Sequence, residues 1–177
     1  MRQKTPGFSL YEMLLTLTLI AVLVGVGLPS FAGITARNRI SVEINALFHA
    51  VHVARKESVM RRQVVSICPS VDGTSCGSRN DWSLGWIMFN NRDRDSPPQR
   101  DPGEPLLRVH LVDDTVTIAA NRDTFTLRST QKRATNGTLV VCDRAERAPP
   151  KALVISYTGR PRVATRTVRG DAYVCAD

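Results

Sequence analysis

The chain has 177 residues, 42% of them hydrophobic and 23% charged, which excludes a disordered or low-complexity protein and leaves room for one domain with its own core. Its 24 basic and 16 acidic residues give a net charge of +8, a balance that favours polyanionic partners such as nucleic acid or an anionic membrane. The four cysteines, Cys68, Cys76, Cys142 and Cys175, include no Cys-x-x-Cys pair, which argues against a zinc ribbon and for two disulfides in an oxidising compartment.

The N-terminus is a short basic stretch, MRQKTPG, followed by an apolar run with no charged residue from Met13 to Ile34. That run is long enough to span a bilayer, which needs roughly 20 apolar residues. Arg2 and Lys4 precede it and orient the N-terminus toward the cytoplasm, with the bulk of the chain outside. An ordinary signal peptide carries its cleavage site after the apolar core. Here the cleavage-like pair Gly7-Phe8 comes before it. Glu12 stands just inside the run, where a carboxylate costs on the order of a few kcal/mol and normally has a partner or a function.

After Pro29 the pattern turns amphipathic, with Ile40, Ile44, Leu47, Phe48 and Val51 at helical spacing. The spacing predicts one long helix over residues 9–62, kinked near Pro29. His49 and His52 lie three apart on it, but a metal site needs more ligands than two and no metal is expected. Strands are predicted at 64–68, 82–89, 106–112, 115–119, 124–128, 138–142 and 152–158, continuing one sheet. The loop RDRDSPPQRDPGEP is a surface connection, and NNRDRDS lacks the spacing and glycine of a calcium-binding EF-hand loop. Four cysteines permit three connectivities. Proximity favours Cys68 with Cys76, leaving Cys142 to Cys175. No GxSxG elbow, phosphate-binding loop or HExxH motif is present, no cofactor is indicated, and an enzyme is not expected.

The segment SYTGRPRVATRTVRG, residues 156–170, holds four arginines and no acid. Gly159-Arg160-Pro161-Arg162 reads as a stiff turn: glycine permits the sharp bend and proline fixes φ. Guanidinium forks bind phosphate oxygens in pairs. Arg166 and Arg169 extend the strip, as do Arg144, Arg147 and Lys151. Aromatic interleaving is limited to Tyr157 and Tyr173, so the expected mode is sequence-independent backbone contact. The same stretch also fits a solvated basic loop, or a contact with acidic neighbouring subunits.

The N-terminal stretch GFSLYEMLLTLTLIAVLVGVGLP resembles the class III signal of type IV pilins and type II secretion pseudopilins. The resemblance implies that a prepilin peptidase cleaves between Gly7 and Phe8 and methylates the new N-terminal Phe8. It makes Glu12 the fifth residue of the mature chain, paired in the filament with a neighbour's terminal amine, and Pro29 the helix-kinking proline. Tyr11 departs mildly from the pattern. GWIMFNNRDRDS, GTLVVC and ALVISYTGRPR resemble the GspH/FimT branch. The implied fold is α+β and type IV pilin-like, a long kinked helix, transmembrane in its first half, packed on an antiparallel sheet. The implied division is a leader at 1–7, a membrane and filament-core helix at 8–36, and a periplasmic domain at 37–177. The implied location is the inner membrane of a Gram-negative bacterium, single-pass with the N-terminus cytoplasmic, and then the pilus tip. Partners would be major and minor pilins, the prepilin peptidase and the inner membrane. A Gly-Arg-x-Arg motif in FimT-type minor pilins is associated with DNA uptake in natural transformation. Gly159, Arg160 and Arg162 match it, which implies double-stranded DNA as a partner, with Arg166, Arg169, Lys151 and Arg144 in support. The alternative is a GspH-type pseudopilin of the type II secretion system, with a structural tip role and no DNA binding.

Overall fold

One helix organises the chain. The structure is a computed structural model that describes residues 7–77, 82–129 and 133–175, including every side chain in those spans except those of residues 28–30. Leader residues 1–6 and the Pro29 side chain at the expected kink lie outside the described residues. Helix α1 runs Leu10–Arg61 and is capped by Ser9. The Ser9 hydroxyl accepts the Glu12 N–H at 3.2 Å, and the Glu12 carboxylate accepts the Ser9 N–H at 3.0 Å. This reciprocal box satisfies two of the orphan donors at the helix start. Helix α1 ends at Arg62, which takes the left-handed conformation with φ +53°.

The two halves of α1 meet different surroundings. None of residues 7–27 is buried, and the apolar run is long enough to cross a bilayer. From Ala36 on, Ala36, Ile40, Ile44, Leu47, Ala50, Val51 and Ala54 form a fully buried stripe. Phe48 is only partly buried on the flank of that stripe, with its ring against His52 at 4.6 Å. Both His49 and His52 are exposed. Among the described residues there is no cluster of three or more His, Cys, Asp or Glu able to hold a metal.

The stripe is covered by two antiparallel sheets where one was expected. The strands are β1 (Val64–Pro69), β2 (Gly85–Asn91), β3 (Leu106–Leu111), β4 (Val116–Ala120), β5 (Phe125–Leu127), β6 (Gly137–Asp143), β7 (Lys151–Ile155) and β8 (Pro161–Ala164). The first sheet has the order β3-β2-β1-β5 and the second β4-β6-β7-β8. Strands β1 and β2 are buried on both faces, which is why they read as nearly continuous apolar runs. Trp82, Trp86, Phe125, Leu127, Leu139, Leu153 and Ile155 join the helix stripe in one core. Trp82 links the sheets: its backbone N–H donates to Ile118 O at 3.3 Å, and its ring lies 5.6 Å from that of Phe125.

The acidic loop after β2 is organised by its own carboxylates. Buried Glu104 accepts the backbone N–H of Arg92 and of Asp101. Asp95 accepts the Asn91 side-chain amide at 2.8 Å and the Gln99 N–H at 2.8 Å.

At the end of β6, buried Asp143 accepts three bonds from Arg147: its backbone N–H at 2.9 Å, Nε at 3.0 Å and Nη2 at 3.0 Å. These side-chain hydrogen bonds hold the Asp143 carboxyl below the usual carboxylate range. Because the folded value is depressed, the stabilisation is fully present above the ordinary carboxylate value near 4 and is lost as pH falls through the folded value. Asp143→Asn is therefore expected to lower stability at neutral pH and to flatten its decline between about pH 5 and pH 2. Urea denaturation across that range checks both.

Candidate nucleic-acid interface

The Gly-Arg-Pro-Arg segment is half turn and half strand. Strands β7 and β8 form a hairpin with Ala152 opposite Ala164, Leu153 opposite Val163, Val154 opposite Arg162 and Ile155 opposite Pro161. The sequence reading ends its last strand at β7, so β8 is an addition. β8 is the outermost strand of its sheet. A proline, which has no N–H to give, is tolerated at such an edge.

Residues 156–160 close the hairpin. The Ser156 N–H donates to Arg160 O at 3.1 Å, and the Gly159 N–H to Ser156 O at 2.8 Å. The Ser156 hydroxyl accepts the Arg160 N–H at 3.2 Å and pairs with the Thr158 hydroxyl at 2.8 Å. Gly159 has φ +71°, and a Cβ there would lie 2.8 Å from Arg55 Nη1 and 2.9 Å from Leu127 Cδ1. Glycine is needed twice over, for the conformation and for the close approach. Arg55, near the end of α1, donates to the Thr158 carbonyl. Ala134 donates its N–H to Tyr157 O at 3.0 Å. Helix, first sheet and the β5–β6 connection thus all grip this one turn.

The clamped turn presents two guanidinium groups. Directly opposed residues in an antiparallel pair share a face, and successive residues alternate. Leu153 and Ile155 are buried in the core, so Val154 and Arg162 point to the face away from the helix. Arg160 and Arg162 are both exposed, and neither side chain has a hydrogen-bond or ion-pair partner among the described residues.

The other expected members of the patch lie elsewhere. Lys151 faces the helix and donates to the Ser41 hydroxyl at 2.9 Å. Ser41 and Arg55 are 14 residues apart on α1, about 21 Å along the helix axis. Lys151 is therefore at the opposite end of β7 from the turn. Arg144 is in the turn after β6, at that same far end, with its N–H on Thr115 O at 2.8 Å. Arg166 bridges to Ala172 and donates to Gly170 O at 2.9 Å, closing its own small turn. Arg169 is exposed on that turn. Gly159, Arg160 and Arg162 come together; Lys151 and Arg144 do not join them.

Both disulfides are present. Cys68–Cys76, with Cα atoms 5.5 Å apart, closes a small ring in the first sheet. Inside it Asp72 accepts from the Ser75 N–H and hydroxyl and from the Thr74 N–H, which holds its carboxyl far below the usual range. Cys142–Cys175, with Cα atoms 6.0 Å apart, returns the tail to β6.

Residues around the turn that local pattern does not single out include two candidates. One is Arg55, which reads as an ordinary helix-surface charge. The other is Arg133, whose guanidinium lies over the Tyr157 ring, 5.4 Å from its centroid. Its signal is faint: one of two adjacent bases in QKRAT, far in sequence from the arginine-rich stretch.

A family model described as type II transport protein GspH matches residues 43–159. None of the curated proteins matches the chain. The chain is similar to the crystal structure of the type IV minor pilin FimU of Pseudomonas aeruginosa, with a TM-score of 0.51 and 20% identity, covering 72% of this chain and 90% of that one. It is also similar to the minor pseudopilin EpsH from the type 2 secretion system of Vibrio cholerae, with a TM-score of 0.52 and 8% identity, covering 71% and 96%. At such identities the likeness is one of fold. The family match ends at Gly159, so Arg160 and Arg162 stand just beyond it.

Proposed function

Because the chain belongs to the GspH family of type II transport proteins, we propose that it is a minor pilin of a type IV pilus that binds duplex DNA through phosphate contacts at Arg160 and Arg162, for DNA uptake in natural transformation. The observation that carries this reading is the pair of exposed, partnerless guanidinium groups on a turn clamped from three sides. Arginines on a rigid hairpin lose little backbone freedom on binding, and each forks onto phosphate oxygens. Nothing about the turn reads base edges, so all sequences bind alike.

In this proposal the peptidase cuts between Gly7 and Phe8, and Phe8 is methylated. The apolar half of α1 holds the chain in the inner membrane, with the N-terminus cytoplasmic and the domain periplasmic, and later packs in the filament near its tip. In the single chain the Glu12 carboxylate is engaged with its own helix start. In the filament it would turn to a neighbour's terminal amine, the pairing that a buried carboxylate requires.

A second reading is a pseudopilin of the type II secretion system without DNA binding. It is favoured by the description of the matching family and by the fold likeness to EpsH. Titration decides between them. The full mature chain in neutral detergent is titrated with labelled duplexes of unrelated sequence between 50 and 200 mM salt. Similar affinity for all sequences is expected, with log K falling by about 0.9 per contacted phosphate for each decade of salt. Arg160→Gln/Arg162→Gln is expected to raise Kd at least tenfold and to reduce the slope by about 1.8. Undiminished affinity in the double variant overturns the site. Absence of salt-dependent binding by the unaltered chain leaves the secretion reading.

A further inference from the structure

The basic turn is at a seam. Strand β5 ends one edge of the first sheet, and the β7–β8 hairpin ends one edge of the second. Two backbone bonds sew the edges together through the β5–β6 connection: Ala134 N–H to Tyr157 O at 3.0 Å, and Thr135 N–H to Thr126 O at 3.0 Å. Gly159 packs so closely on Leu127 that an added Cβ would lie 2.9 Å from it. Arg128 follows Leu127 directly at the end of β5, so its backbone adjoins the edge that packs on Gly159, although 32 positions separate it from Arg160.

Arg133 lies directly on the seam, exposed, with its guanidinium carbon over the Tyr157 ring, 5.4 Å from the centroid. A cation–π contact of this kind uses none of the guanidinium N–H donors, which remain available to an oxygen pair. Arg128 lines a cleft of about 380 Å³ together with Arg122, Thr126 and Thr135. Its side chain has no partner among the described residues. Asp95 and Asp123 also line this cleft. Asp95 is engaged by Asn91 and Gln99.

We propose that Arg133 and Arg128 form a second phosphate-contact pair, so that one sugar-phosphate strand of a duplex runs from the β7–β8 turn across the seam onto the first sheet. This rests on the DNA-binding reading above and extends its site beyond the arginine-rich stretch. Tyr157 acts as a positioning residue, holding the Arg133 guanidinium in place. The site is then shared between two sheets, and its geometry depends on their docking.

The test uses the full mature chain in neutral detergent with the same labelled duplexes. Arg128→Gln/Arg133→Gln is expected to raise Kd about five- to tenfold at 100 mM salt and to reduce the salt slope by about 1.8, with an unchanged melting temperature. Arg128→Lys/Arg133→Lys keeps both charges and is expected to restore most of the slope. Tyr157→Ala is expected to weaken binding while Tyr157→Phe, which keeps the ring, does not. Arg37→Gln, at the far end of the domain, controls for net charge and is expected to change Kd less than twofold. Loss of affinity in Arg160→Gln/Arg162→Gln with none in Arg128→Gln/Arg133→Gln overturns the second pair and leaves the hairpin site standing. An Arg37→Gln effect equal to that of the pair overturns it as well. No change in either double variant, or no binding at all, removes both readings together.

Discussion

Valine in place of Gly159 is expected to lower the stability of the domain by about 3 kcal/mol and to weaken DNA binding at least tenfold, although it leaves every arginine in place. Two costs add. At φ +71° an L-residue with a branched Cβ is strained by roughly 1–2 kcal/mol. The new Cβ would also stand 2.9 Å from Leu127 Cδ1, and Leu127 is fully buried in a close-packed core. Overpacking of that kind costs about 1–3 kcal/mol. Arg55 is displaced at the same time, and with it the bond that ties Thr158 to the helix. Alanine, without the branch, is expected to cost about 2 kcal/mol. Urea denaturation measures the first effect and the duplex titration the second. A variant that loses stability but binds normally would show that the clamped geometry does not matter to the arginines.

Cys142→Ser/Cys175→Ser is expected to lower stability while leaving binding in place. The bond spans a sequence separation of 33 residues, for which the chain-entropy model gives about 3–4 kcal/mol. The hairpin itself is held by the β7–β8 pairing, by Arg55 and by Ala134, none of which involves the disulfide. A stability loss of that size with a Kd change under twofold is therefore the expected result, with faster amide exchange confined to the stretch after Ala164. A large loss of affinity would mean that the tail, with Arg166 and Arg169, takes part in binding after all.

The contrast between these variants reflects what the sequence does and does not carry. The helix was legible because the apolar run and the spacing of Ile40, Ile44, Leu47 and Val51 are local signals. Most strands were legible for the same reason. The division into two sheets was not, because it depends on pairings such as Val65 with Leu127, which no local pattern encodes. Strand β8 was hidden by its composition, a proline and an arginine at the start of a four-residue edge strand. Lys151 looked like part of the basic patch because it is close in sequence. A strand advances about 3.3 Å per residue, so the length of β7 carries Lys151 to the other end of the sheet, and alternation turns it toward Ser41. Arg133 had only a faint sequence signal and Arg128 had none, because their proposed place in the site depends on how the two sheets meet and not on any local pattern.

The Cys142–Cys175 bond has one more consequence, for proteolysis. The segment it encloses contains β7, the turn, β8 and all the arginines from Arg144 to Arg169; a trypsin-like protease cuts after arginine, except at the Arg160–Pro161 bond. A single cut anywhere in this ring opens the ring without releasing a fragment. The pieces stay covalently joined through the disulfide. A surface rich in arginine is an open invitation to nicking, and here a nicked subunit remains one molecule.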